Sequence, residues 1–262
     1  DTMLLNTGVG TTVTLRTNGD LDGDGGAATN GDNSITIGLV VNADDGENLT
    51  LNAGGAQGDG AGDVDINAAI GAAGAIGRLT INADDIDVDA NVDAAGISAT
   101  AQSSFDVDPA DGGAVTIDIN GQDSYINSGG LIGNTGIGVA DSIIDSAGTG
   151  DLLLRPLTAG DAFGVGDGVG AGGGRVSNAF MGIIDGTVVG VEIGFDAPQL
   201  DSGAVDQTGT ISIIDAGSAI SIAAPLTIQA DGASVTVGVA GGAGGDITLT
   251  TAGDALTLNG QN

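Results

Sequence analysis

The chain has 262 residues, of which 51 are glycine, and its 35 acidic side chains face only 4 basic ones, all arginine, giving a formal net charge of −31. Such a polyanion repels nucleic acid and anionic membrane surfaces, because both affinities rest on Lys and Arg neutralising phosphate, and no run reaches the ~18 apolar residues of a membrane span. Without His, Cys or Lys there is no Ser-His or Cys-His catalysis, no ordinary zinc site and no Schiff base, which leaves oxygen ligands suited to hard cations such as calcium.

Charge and glycine alone would point to disorder, but 41% of the residues are hydrophobic and mean hydropathy is +0.26. Those residues are mostly Val, Ile, Leu and Ala in ordered alternation. No disulfide framework is possible. The chain starts at Asp1 and shows no signal peptide, as expected of a processed form or a fragment.

From the N-terminus, the first motif is Asp20-Leu21-Asp22-Gly23-Asp24-Gly25, the first half of a D-x-D-x-D-G calcium loop. Alternate carboxylates on a tight turn converge on one ion, so Asp20, Asp22 and Asp24 are the candidate calcium ligands. Gly31 stands where the bidentate Glu belongs, and a solvated acidic turn is the plainer reading.

A short strand unit then recurs: Leu49-Thr50-Leu51-Asn52, Val64-Asp65-Ile66-Asn67 and Leu79-Thr80-Ile81-Asn82. Later copies are Val115-Thr116-Ile117-Asp118, Leu226-Thr227-Ile228-Gln229 and Leu256-Thr257-Leu258-Asn259. The triplets at 191–193, 211–213, 235–237 and 247–249 share the alternation. Period two with β-branched residues predicts strands with one buried face, separated by Gly-Gly, Asp-Gly, Asn-Gly and Ala-Gly turns. The Asn after each strand either builds an amide ladder up one corner or simply suits the turn.

Asp84, Asp85, Asp87 and Asp89 form the densest acidic stretch, with Asp85, Asp87 and Asp89 on one strand face and Ile86 and Val88 on the other. Residues 159–175 read as one long loop, bracketed by Phe163 and Phe180 as anchors. Ser177 to Ile184 is the nearest approach to a helix, and it is short and contains Gly182. Gly241 to Asp246 fits one G-G-x-G-x-D core of a calcium β-roll, but no tandem copy accompanies it. Arg78 and Arg155 each adjoin a strand and are expected to pair with nearby Asp.

Short strands, scarce aromatics and a recurring small unit predict an all-β, parallel β-solenoid rather than a sandwich or barrel. It is expected to be elongated and continuous over 1–262. The residues from Leu152-Leu153-Leu154-Arg155-Pro156-Leu157 through Phe163-Gly164-Val165-Gly166-Asp167 carry a further pattern. It continues through Ala179-Phe180-Met181-Gly182-Ile183-Ile184-Asp185-Gly186 to Ala224-Pro225-Leu226-Thr227-Ile228. Over about residues 152–230 this resembles the repeat regions of filamentous-haemagglutinin-like secreted bacterial surface exoproteins. The resemblance implies a right-handed parallel β-helix, export to the cell surface and a role in adhesion or a surface fibre, and it supplies no catalytic motif.

The expected function is a non-enzymatic extracellular structural protein that self-associates into a filament, with a glycan or a host or cell surface as a further partner. No nucleic acid or membrane insertion and no required cofactor are expected. Two alternatives are a calcium-dependent binding or surface-layer module and a β-helix polysaccharide-active enzyme. The second suffers from the scarcity of aromatic and basic residues that present sugars.

Overall fold

A computed structural model describes residues 2–17, 34–53, 62–109, 113–134, 142–146, 148–168, 174–195, 206–214, 219–230, 232–238, 246–251 and 253–260. The chain opens with β1 (Thr2–Leu5), β2 (Thr12–Arg16), β3 (Ile35–Ile37), β4 (Val40–Ala43), β5 (Asn48–Asn52) and β6 (Val64–Ile66). Two long strands follow, β7 (Ile76–Val88) and β8 (Val92–Val107). Short strands resume with β9 (Thr116–Ile119), β10 (Ser124–Ser128), β11 (Leu131–Gly133), β12 (Ile143–Asp145), β13 (Leu152–Pro156), β14 (Phe163–Val165) and β15 (Arg175–Val176). A short helix, α1 (Asn178–Gly182), precedes β16 (Val191–Ile193), β17 (Ile211–Ile213), β18 (Ile220–Ile222), β19 (Leu226–Ala230), β20 (Val235–Val237), β21 (Ile247–Leu249) and β22 (Leu256–Gly260).

The protein is therefore nearly all β, with one 18-stranded parallel sheet nearly closed into a barrel-like shape and two two-stranded sheets, β1–β4 and β18–β21. Parallel neighbours need long connections, which helices usually supply. Here the described connections run mainly through other strands. Partners lie from 18 positions apart (Ile76 to Ala94) to 48 apart (Phe163 to Ile211), except for the close pair of β14 with β15.

The pairings form ladders. The first runs β2–β5–β7–β8–β10–β13–β16–β19–β22. In it Leu15, Leu51, Ile81, Ala99, Ile126, Leu154, Ile193, Ile228 and Leu258 stack in register, and the seven between the ends are buried. The second runs β3–β6–β7–β8–β11–β15–β14–β17–β20 and stacks Ile35, Val64, Ile86, Phe105, Ile132, Val176, Val165, Ile213 and Val237. The third joins β1, β4, Ile70, β8, β9, β12 and Ile184. Like apolar residues lie one strand spacing apart, about 4.8 Å, so each column is a continuous van der Waals contact and the columns together make the core.

β7 and β8 serve several ladders without a turn between them. β7 pairs with β5 through Leu79–Asn82 and with β6 through Ile86–Val88, and its register with β8 shifts between Ala83 and Asp85. β8 reaches β9, β10 and β11 in succession along its length. The stretch 159–175, read from sequence as one loop, contains β14 and leads into β15, which inserts between β11 and β14. Phe163 and Phe180 are both sealed in the core, Phe180 edge-on to Phe105 at 6.2 Å between ring centroids. α1 begins where Ser177 Oγ accepts the Phe180 N–H at 3.1 Å, an N-cap.

The amide ladder is partial. Asn52 pairs with Asn82 in register, Thr100 follows, and at the far end Asn259 Nδ2 donates to Gln229 Oε1 at 2.7 Å. Gly71 is required by its backbone: its φ is +82°, and a Cβ there would meet the Asp93 carbonyl oxygen at 2.2 Å.

One buried anion ties the first strands together. Glu47, between β4 and β5, is 0% exposed. Its Oε1 accepts from the N–H groups of Thr7 (3.1 Å) and Gly8 (3.2 Å), and its Oε2 from those of Asp44 (3.1 Å) and Asp45 (3.0 Å). Backbone N–H groups, that of Asp45 foremost and then those of Glu47 itself, Thr7 and Gly8, hold its pKa down to about 2 against the opposing effect of burial. A lowered folded-state pKa stabilises the fold above the ordinary value of 4.5, and that gain is lost as pH falls through about 2. In Glu47→Gln an amide NH2 must face backbone N–H donors. Thermal unfolding of this variant at pH 7 is expected roughly 3 °C below wild type, with the gap closing near pH 2. An unchanged midpoint at pH 7 would refute the anchoring role.

Candidate functional site: stacked carboxylates

The calcium candidates Asp20, Asp22 and Asp24 lie outside the described residues, as do Gly241 to Gly245 of the β-roll fragment. What the described residues bring together is a different acidic array. It follows from the ladders: an apolar-Asp-apolar triplet buries its flanks and points Asp outward, and in-register pairing then sets Asp beside Asp.

In the second ladder Asp65, Asp87 and Asp106 are consecutive partners, with Thr36 before them and Gly133 after. Ile86 and Val88 are buried and Asp85, Asp87 and Asp89 are half-buried, the division that strand alternation predicts. Burial, then the charges of Asp89, Asp108, Asp106 and Asp65, push Asp87 up to about 7. One of its oxygens, Oδ1, is buried without a hydrogen-bond partner.

In the third ladder Asp93, Asp118 and Asp145 are consecutive partners. Asp185 extends the column, its N–H donating to the Ile144 carbonyl at 2.9 Å. Burial raises Asp93 and Asp145 above the ordinary carboxylate range, and the Asp118 charge adds to both shifts. Asp151 is raised for the same reasons, with Asp123 as the neighbouring charge.

A third group lies at the register shift between β7 and β8. Asp63, Asp84 and Asp85 place one carboxyl oxygen each within 4.8 Å of the others, a spacing one divalent cation spans. These oxygens already accept hydrogen bonds. Ser103 Oγ donates to Asp84 at 2.8 Å, Ser104 Oγ donates to Asp85, and the Asp85 N–H donates to Asp63 at 3.3 Å. Their half-buried state and ready donors fit a solvated acidic corner.

The arginines do something other than line a cleft. Arg78 donates to Gln122 Oε1 at 2.9 Å and to the carbonyls of Asp123 (3.1 Å) and Ile97 (3.4 Å). Arg155 is 0% exposed, its guanidinium 4.8 Å from the Tyr125 ring centroid and 5.1 Å from that of Phe195. Tyr125 and Leu153 alternate outward yet are buried, and the Arg155 guanidinium lies against both the Tyr125 ring and the Phe195 ring just after β16. An arginine sealed in this way cannot reach a glycan, and Arg155 gives the polysaccharide-active reading no support. The outward column of the first ladder runs Thr14, Thr50, Thr80 and then Ser98, Tyr125, Leu153 and Glu192 before Thr227 and Thr257.

Sequence reading found the acidic stretch in β7 but missed the columns through Asp93, Asp118 and Asp145. The usable signal was the repeated apolar-Asp-apolar triplet, as in Val64-Asp65-Ile66, Ile86-Asp87-Val88, Phe105-Asp106-Val107 and Ile117-Asp118-Ile119. Which triplets become neighbours depends on connection lengths that the triplets themselves do not encode.

A raised folded-state pKa makes stability fall with pH, here between the unfolded value of 3.8 and the folded value of about 7. Asp87→Asn is expected to raise unfolding free energy at pH 8 by about 1–2 kcal/mol, a figure discounted for solvent screening at a half-buried side chain. At pH 4 the two proteins should unfold alike. Urea titrations at both pH values check this, and equal stability at pH 8 would refute it. No family model matches the chain, and neither does any curated protein or solved structure.

Proposed function

We propose that the chain is one continuous, right-handed parallel β-solenoid over residues 1–262. It serves as a segment of an extracellular surface fibre or adhesin filament that self-associates through the solenoid ends. The right hand is what the resemblance to filamentous-haemagglutinin-like repeats implies. No catalytic group and no cofactor enter this reading, and an acidic, hydrated exterior suits a protein displayed outside the cell.

The order in which the chain visits its ladders supports the winding. From β1 it passes to the third, first and second ladders in constant rotation: β1, β2, β3, then β4, β5, β6, then Ile70 and the two halves of β7. β8 makes a full turn alone, touching all three ladders. The fold-back of β14 and β15 gives the second ladder an extra strand, so the first and second ladders each hold nine members among the described residues. The ends are thereby level with one another on these two faces.

The exposed apolar residues carry the functional reading. Among the described residues seven large hydrophobics are exposed, and six lie in the terminal strands or their flanks: Leu4, Val9, Leu39, Val237, Leu256 and Leu258. A hollow at the first end is lined by Met3, Leu15, Ile37, Leu39 and Val41. Among the described residues β2 and β22 each pair on one edge, which leaves strand edges as templates for further pairing. Continuing the first ladder across a junction puts Leu258 over Leu15, Thr257 over Thr14 and Leu256 over Val13, so apolar columns and threonines both continue. A contact of this kind is head-to-tail and builds an open filament.

The experiment is cross-linking of the double variant Thr14→Cys, Thr257→Cys. The chain has no native cysteine to interfere, and adjacent parallel strands hold equivalent residues within disulfide range. Oxidation at high salt, where repulsion between copies is screened, is expected to give a ladder of covalent multimers, with filaments in negative-stain electron microscopy. Monomeric rods that cross-link no better than a Thr80→Cys, Thr257→Cys control would overturn the proposal.

A further inference from the structure

The apolar columns by themselves leave the register of an end-to-end contact open. Side chains alternate with period two, so sliding one copy by two residues along the first ladder keeps Leu256 and Leu258 on the core side. The backbone bonds of a parallel pair are evenly spaced and form equally well after such a slip. A contact that tells one register from the next must come from a polar side chain, the role best attested for lone polar groups among equivalent apolar positions.

The outward column two positions beyond Thr14 and Thr257 supplies one. It runs Arg16, Asn52, Asn82, Thr100, Asn127 and Arg155, and it ends at Gln229 and Asn259. At the far end Asn259 Nδ2 donates to Gln229 Oε1 at 2.7 Å. An amide carries its donor and its acceptor on opposite sides, so this bond turns Asn259 Oδ1 away from Gln229 and towards the open end. At the first end stands Arg16, exposed on the outward face of β2. A guanidinium has donors and no acceptor, so it suits the place where the amide ladder of a preceding copy arrives.

Charge favours the same pairing. Arg16 is the only basic side chain before Arg78, and none follows Arg175. Asp246 and Asp254 lie just ahead of β21 and β22. Head-to-tail contact brings Arg16 to this acidic end, whereas head-to-head contact brings two Arg16 side chains together. The chain shows both fates of an arginine near an amide. Arg78 donates to Gln122 Oε1 at 2.9 Å. Arg155, which follows Asn127 in the column, lies instead against the ring of Tyr125, and Asn127 Oδ1 is buried without a hydrogen-bond partner. At the junction the position of that ring is held by Thr257, which offers no π-face to compete for the Arg16 guanidinium.

We propose that Arg16 sets the register and polarity of self-association by donating to Asn259 Oδ1 of the preceding copy, carrying the amide ladder across the junction. This role rests on the end-to-end reading above and adds the contact that selects the fit. Asn259 is neutral, so high salt that screens repulsion between copies spares the contact.

Disulfide trapping at high salt in two cysteine backgrounds tests it. Thr14→Cys, Thr257→Cys reports the proposed register, and Thr12→Cys, Thr257→Cys reports a slip of two residues on the same face. With Arg16 present, multimers are expected in the first background and not in the second. Arg16→Ala is expected to raise the protein concentration that gives half multimers by about tenfold, the worth of one hydrogen bond to a charged group, and to give multimers in both backgrounds. Asn259→Ala should do the same, and the two changes together should cost no more than either alone. Circular dichroism checks that each variant keeps its strands, and because the two residues lie at opposite ends of the fold, either variant alone suffices. An unchanged threshold on removing either side chain, or equal trapping in both backgrounds with Arg16 present, would overturn the role of Arg16 and leave end-to-end assembly standing. No multimers in either background would overturn the end-to-end reading itself and this role with it.

Discussion

In-register parallel pairing is the constraint on which the rest of this structure depends. Once a strand accepts a partner in register, every side chain has its counterpart one strand spacing away on the same face. Buried positions must then tolerate their own kind. Leu, Ile and Val do so readily, because stacked aliphatic chains meet along their full length. Ala99 and Ser124 narrow the first ladder where it passes β8 and β10, and Phe105 widens the second where Phe180 packs edge-on against it. The thin core admits few aromatics for the same reason.

The same rule makes the outer surface an electrostatic problem. A chain with 35 acidic side chains cannot stack strands in register without setting some carboxylates beside others. Three remedies are visible. Asn120 and Ser103 donate to Asp93 and Asp84. Glu47 is removed from the surface and ringed by backbone N–H groups. The remaining close neighbours, such as Asp87 beside Asp65 and Asp106, move towards protonation as burial and repulsion raise the pKa. The fold therefore carries anions of opposite kinds: one whose charge stabilises it and several whose charge opposes it.

Much of the fold was legible in the sequence. The triplets at 64–66, 191–193, 211–213, 235–237 and 247–249 are all strands, because alternation and β-branching record burial of one face directly. The length of β7 and β8 was less legible. Polar residues such as Asp84, Asp85, Ser103 and Ser104 interrupt the apolar alternation at the places where those strands bend between ladders, and a bend without a turn has no glycine signature. β14 was hidden for the opposite reason, since Phe163-Gly164-Val165 sits among glycines that suggest a loop. The site was legible only as composition. Asp118 and Asp145 are 27 positions apart (145 − 118), and nothing in either triplet announces the other until the connecting turn lengths are known. The buried setting of Arg155 was equally hidden, because the rings against it, Tyr125 on β10 and Phe195 just after β16, are about 30 and 40 positions away in the sequence.

That buried arginine makes the protein a reporter on itself. Tyr125 is the chain's single tyrosine, and there is no tryptophan, so its near-ultraviolet emission comes almost wholly from one ring. The Arg155 guanidinium lies 4.8 Å and that of Arg78 5.9 Å from the ring centroid, and the ring is buried outside the aliphatic core. Opening of these arginine contacts would admit quencher to the ring while the stacked strands stayed intact. The emission therefore reads the opening of the arginine cluster, and circular dichroism reads loss of the ladders, so one unlabelled sample separates the two events.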